Sequence, residues 1–120
     1  MTVVRKKLGA SAETLAAQFL TELGYQVVER NFRCSLGEID LIVRNATHLI
    51  FVEVKSRRYL HYGQPLCAVN WRKQKRLVLL AQWYLKAKKI FKQSCRFDVI
   101  SIYLPLDGEP VIKHIANAFS

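Results

Sequence analysis

Acidic residues are scarce in this chain. Nine Asp and Glu face nineteen Lys and Arg over 120 residues, a formal charge of +10 at pH 7. So basic a small domain suggests a polyanionic partner, usually nucleic acid. Long apolar runs are missing too: none approaches the ~20 residues a membrane helix needs. The basic N-terminus, MTVVRKKLGASAE, lacks an extended apolar stretch and an export-type cleavage site. These absences predict a soluble, intracellular protein of the cytoplasm with no membrane partner. Cysteine is sparse and odd in number: Cys34, Cys67 and Cys95, widely spaced and without a CxxC. That pattern suggests neither a disulfide framework nor a zinc knuckle. His48, His61 and His114 are scattered, with no zinc-ligand spacing between them.

What remains is enough hydrophobic residue (51%) for one modest core, hence a single domain over residues 1–120. Residues 8–23 carry a helical stripe of Ala12, Leu15, Ala16, Phe19, Leu20 and Leu23. Ser11 is a candidate N-cap and Gly24 a candidate C-cap. Tyr25–Val28 reads as a short strand, and residues 31–36 are ambiguous. Two strands follow from Gly37 to Arg57, joined by a turn at 45–48. Residues 59–65 are a polar loop with Gly63 and Pro65. A long helix is expected from Trp71 to Lys89, with Leu77, Leu80, Ala81 and Tyr84 on its apolar face, widened by Val78 and Leu85. Strands at 96–104 and 111–115 flank a turn containing Asp107-Gly108. The strand–helix–strand unit should make a right-handed parallel crossover. A mixed sheet flanked by two helices follows, an α/β sandwich.

The strand Leu49-Ile50-Phe51-Val52-Glu53-Val54-Lys55 is apolar except for one carboxylate and one ammonium. Alternation puts Phe51, Glu53 and Lys55 on one face, and Glu38, Asp40 and Ile42 on one face of the partner strand. If Asn45 lies opposite His48, Asp40 lies opposite Glu53, with Cβ atoms about 4.5–5.5 Å apart. Like charges so close need a shared proton or a cation between them. A hard cation such as Mg²⁺ binds through one or two carboxylates and keeps several waters. Lys55 would stand beside it, and Glu13 on the first helix offers a third carboxylate. Such a set suits metal-assisted phosphodiester hydrolysis. The alternative is a solvated sheet face with a Glu53–Lys55 ion pair worth about 0–1 kcal/mol.

Asp40, twelve intervening residues and Glu53-Val54-Lys55, with Glu13 upstream, resembles the PD-(D/E)xK nuclease signature found in archaeal Holliday-junction resolvases. "GEIDLIV", "FVEVKSR", "YGQP" and "RFDVI" look like the YraN family of small bacterial endonuclease-like proteins. The resemblance covers nearly the whole chain. It implies a restriction-endonuclease-like αβββαβ core and a nuclease site on Glu13, Asp40, Glu53 and Lys55. Glu13, Asp40 and Glu53 would hold Mg²⁺ (or Mn²⁺). Ile39 stands where the "PD" proline would be, as in resolvase-like members, and Ala12 where a glycine often precedes the helical glutamate. Resolvases of similar fold act as dimers, so the resemblance also admits a homodimer.

Arg57, Arg58, Arg72, Lys73, Gln74, Lys75 and Arg76 could form a rim tracking a phosphate backbone, or a solvated basic face. Tyr59, Tyr62 and Trp71 could stack on unpaired bases. Asp98 reads best as an ion-pair partner of Arg96, and Trp83 and Tyr84 as packing. Three functions stay open at this stage: a metal-dependent nuclease acting on DNA, branched or otherwise structured; a non-catalytic nucleic-acid-binding module; and a basic interaction protein using the long helix. The sequence does not separate DNA from RNA.

Overall fold

A computed structural model describes the backbone of residues 2–57 and 69–119 and the side chains of residues 12–57 and 69–119. Helix α1 (Thr2–Glu22) is followed by β1 (Gln26–Cys34), β2 (Gly37–Arg44) and β3 (Leu49–Arg57). Helix α2 (Trp71–Ala87) leads to β4 (Cys95–Tyr103) and β5 (Val111–Phe119). The five strands form one sheet in the order β1-β2-β3-β4-β5, with β3 and β4 parallel and every other pair antiparallel. This is the expected αβββαβ order, a mixed sheet between two helices, with β5 added at the edge. Among the described residues no helix is long and apolar enough to cross a membrane.

Each sheet face is covered by one helix. Ala12, Ala16, Ala17 and Leu20 of α1 pack on Leu41, Val43, Ile50, Val52, Ile100 and Ile102. Leu77, Leu80, Ala81 and Tyr84 of α2 pack on Ile39, Ile42, Phe51 and Val99. A sheet buried on both faces explains why β3 is apolar at successive positions rather than alternating. The expected face of α2 is thus buried, with Leu85 packed at its margin. Leu23, assigned to the stripe of α1, is instead 57% exposed beyond the helix end.

Local chemistry sets the boundaries. Asn70 caps α2, its side chain accepting the Lys73 N–H at 2.9 Å. Gly24 ends α1 with φ +100, and the Tyr25 N–H returns to the Leu20 carbonyl at 3.0 Å. The N-cap expected at Ser11 is not one, because α1 begins at Thr2 and Ser11 lies inside it. The β2–β3 turn is closed by the Asn45 side chain, which accepts the Thr47 and His48 N–H groups at 2.9 and 2.7 Å.

Candidate functional site

The β2–β3 hairpin has the expected register. Arg44 pairs with Leu49, Val43 with Ile50, Ile42 with Phe51 and Leu41 with Val52. One step on, Asp40 and Glu53 would oppose each other, but the ladder ends there. Asp40 Oδ2 instead accepts the Val54 N–H at 2.8 Å. A side-chain carboxylate has taken a place a strand carbonyl would hold, and the two strands part.

The regular alternation expected of β2 also breaks at Asp40. Leu41 and Val43 face α1, yet Ile39 and Ile42 both face α2. On β1, Arg30 pairs with Leu41 and Phe32 with Ile39, and the intervening Asn31 has φ 53. Asn tolerates this left-handed region better than most residues. The break leaves Asp40 within reach of acids from both sides of the sheet. Carboxylate oxygens of Glu13, Glu38 and Asp40 lie within 4.8 Å of one another. Glu38 thus stands with Glu13 and Asp40 in the close group, and Glu53 is the neighbouring acid that acts most on Asp40. Glu53 is 6% exposed, and its Oε1 is paired with Lys73 Nζ from the first turn of α2.

Electrostatics mark the same spot. Burial, then the neighbouring Glu53, push the Asp40 carboxyl up to about 7, with smaller pushes from Glu13 and Glu38. The Val54 N–H acts in the opposite direction. Such a shift corresponds to an electrostatic cost on the order of 4 kcal/mol for the ionised form. The donor set fits a hard divalent cation: ligand oxygens around Mg²⁺, at about 2.0–2.1 Å from the metal, lie roughly 3–4 Å apart. The oxygens of Glu13, Glu38 and Asp40, all within 4.8 Å of one another, reach that spacing with at most small side-chain adjustments.

A stability prediction follows from the sign of the shift. The folded Asp40 carboxyl lies near 7, above the ~3.9 of an unfolded chain. Its contribution is fully present below about pH 4 and is lost as pH rises through 7. Asp40→Asn keeps an oxygen for the Val54 N–H but cannot ionise. In metal-free buffer it should match the wild type near pH 4 and exceed it in urea resistance at pH 8. Equal stabilities at pH 8 would contradict the assignment.

The residues expected on the basic rim have different surroundings. Arg57, Arg72 and Arg76 are exposed, whereas Lys73 is engaged with Glu53. Gln74 is half-buried and donates to the Val69 carbonyl at 2.7 Å, so its amide secures the start of α2. Lys75 Nζ stands 4.2 Å over the ring of the exposed Trp71. Arg58, Tyr59 and Tyr62 lie outside the described residues. Of the two aromatics read as packing, Tyr84 is buried, and the half-exposed Trp83 leans on Phe32 with ring centres 5.8 Å apart.

Asp98 is not part of this cluster. Arg96 donates to both its oxygens at 2.9 Å, as expected, and reaches the Tyr25 hydroxyl at 2.8 Å. His114 Nε2 lies 2.7 Å from Asp98 Oδ2, and the Asn117 N–H donates to Oδ1 at 2.9 Å. A carboxylate only accepts, so His114 carries its proton on Nε2. The Arg96 pair is the one expected from the sequence; His114 reaches Asp98 from β5, sixteen residues away, with no spacing signal to mark it.

The family model of the uncharacterised protein family UPF0102 matches residues 12–102. The chain belongs to that family. The UPF0102 protein of Desulforamulus reducens is 46% identical over 121 residues, covering 98% of this chain and 99% of the relative. That of Caldanaerobacter subterraneus subsp. tengcongensis is 40% identical, covering 98% of each. That of Rhodococcus jostii is 46% identical, covering 93% of this chain and 95% of the relative. Among solved structures, "The structure of Pyrococcus Furiosus SfsA in complex with Ca2+" aligns with a TM-score of 0.43 and 21% identity. That alignment covers 93% of this chain and 62% of the SfsA chain. The UPF0102 match holds Glu13, Glu38, Asp40, Glu53, Lys55 and Lys73, and it ends within β4, leaving β5 outside.

Proposed function

We propose that the protein is a metal-dependent nuclease that hydrolyses phosphodiester bonds in DNA, including branched or structured DNA, in the cytoplasm. The observation that carries this reading is the strand break at Asp40. It gathers Glu13, Glu38 and Asp40 beside Glu53, two residues before Lys55. Glu13 and Asp40 would hold Mg²⁺ or Mn²⁺, with Glu38 and Glu53 completing its surroundings. Bound there, the ion would polarise a phosphate oxygen and make a neighbouring water more acidic. The protein's own groups do the rest. The Val54 N–H fixes the orientation of Asp40. Lys55 places an ammonium where negative charge builds on the phosphoryl oxygens. Arg57, Arg72 and Arg76 neutralise flanking phosphates, a contribution that weakens with salt.

One observation favours a second reading, a binding module that does not cut. Glu38 already pairs with Arg33 at 2.9 Å and Glu53 with Lys73, so two of the acids have cationic partners without a metal. Titration calorimetry separates the two. Mn²⁺ should give a heat with the wild type that Asp40→Asn abolishes. No heat with the wild type, or an equal heat with the variant, would overturn the nuclease reading.

A further inference from the structure

Glu53 is buried and charged, and it needs a counter-charge. That charge comes from Lys73, whose own side chain is 47% exposed. The backbone of Lys73 is fixed, because its N–H is held by the Asn70 cap. Its four-carbon stem is not, and a lysine head is a compact charge on a flexible arm. The ammonium can therefore leave Glu53 for solvent or another anion without moving α2. Glu53 meanwhile lies outside the close group of Glu13, Glu38 and Asp40, although near enough to be the largest charge acting on Asp40.

We propose that Lys73 is an exchangeable counter-ion: it neutralises Glu53 until a divalent cation takes that carboxylate, and its freed ammonium then holds a phosphate of the bound nucleic acid. This rests on the metal-dependent reading above. A cation among the three carboxylates repels the Lys73 ammonium and attracts the Glu53 carboxylate. Both effects favour the same exchange. The half-exposed ammonium regains water on leaving, and the incoming cation takes over the compensation of the buried Glu53 carboxylate. Once released, it starts from the first turn of α2, beside the exposed Arg72 and Arg76. Metal binding and nucleic-acid binding then support each other, and thermodynamic reciprocity requires the same factor in both directions. A permanent tie between α2 and β3 would behave differently. It would stabilise the fold, leave the two ligands uncoupled, and gain no metal affinity when removed.

The test uses Lys73→Met, with Lys73→Gln as a second variant whose amide can still donate to Glu53 without charge. Calorimetry with Mn²⁺ alone should show both variants binding the ion more tightly than the wild type, by about fivefold or more. Fluorescence anisotropy with a labelled four-way DNA junction should be run in a Lys55→Ala background, which keeps the strands whole. There Mn²⁺ should raise DNA affinity by about fivefold or more when Lys73 is present, and by less than about twofold when it is replaced. Wild type that binds Mn²⁺ with an affinity unchanged or lowered by both substitutions overturns the exchange alone. Wild type that binds no Mn²⁺ overturns the metal-dependent reading, and the exchange falls with it.

Discussion

Lys55→Ala should lose about a hundred- to thousand-fold in cleavage rate while binding DNA nearly as well as the wild type. The proposed contact forms as charge builds on the phosphoryl oxygens. An interaction made only in the transition state lowers turnover without loosening substrate. One preorganised electrostatic contact of this kind is typically worth about 2.7–4 kcal/mol. Lys55 lies on β3 two residues after Glu53, in the stretch where β3 has lost β2 but stays paired with β4 through Lys55↔Ser101. Its backbone is therefore held by one neighbour, and the residue is half-buried. Single-turnover cleavage and anisotropy on the same substrate measure the two effects separately. A variant that cuts as fast as the wild type would show that Lys55 has no such role.

Asp98→Ala should cost about 3–5 kcal/mol of folding stability, enough to unfold much of a domain whose total is about 5–15 kcal/mol. Asp98 is 1% exposed and accepts from Arg96, His114 and the Asn117 N–H. Removing it leaves a charged guanidinium and an imidazole N–H facing apolar neighbours. By contrast, Tyr25→Phe deletes one hydroxyl contact to Arg96 and should cost about 1 kcal/mol. The cluster also predicts acid sensitivity. Burial alone would raise the Asp98 carboxyl, but hydrogen bonds from His114, Arg96 and the Asn117 N–H overcome it and hold it at about 2. Unfolded Asp titrates near 3.9, so this stabilisation is complete above about pH 4 and is lost as pH falls through 2. Urea unfolding at pH 7 and across pH 5 to 2 checks both statements. A loss under about 1 kcal/mol at pH 7 would contradict the first.

Residues whose local rules agree with the fold were legible in the sequence. The apolar face of α2, the Asn45 turn and the β2–β3 register all follow from periodicity and turn chemistry. The nearness of Glu13 to Asp40 is what the resemblance implies, and their carboxylate oxygens lie within 4.8 Å. What was not legible comes from breaks in regularity. β1, expected over residues 25–28, runs over Gln26–Cys34, because a register shift between Val27 and Glu29 and then Asn31 with φ 53 interrupt its pattern. β5 was expected to stop at Ile115 and continues to Phe119 through Asn117, also with φ 53. Alternation has no signature for such a residue, so both strands were read short. The same kind of break brings Glu38 beside Asp40. Glu38 had been placed on the Asp40 face, and its spacing of two was the available signal. Lys73 was assigned to a phosphate-tracking rim. Its pairing with Glu53 depends on where the β3–α2 connection sets the first turn of the helix, which sequence spacing does not encode. The early start of α1 has a simpler cause. Arg5, Lys6, Lys7, Leu8 and Ala10 are all good helix formers, so a serine after them did not begin the helix.

Metal-dependent phosphodiester hydrolysis at the carboxylates around Asp40 requires both the metal and Asp40. Cleavage of linear, flapped, four-way and single-stranded DNA, with Mg²⁺ or Mn²⁺ and with chelator, tests it most directly. The wild type should cut at least one of these substrates with metal and none with chelator, and Asp40→Asn should cut none. A wild type that leaves the whole panel intact, or an Asp40→Asn variant that cuts as the wild type does, would contradict the account.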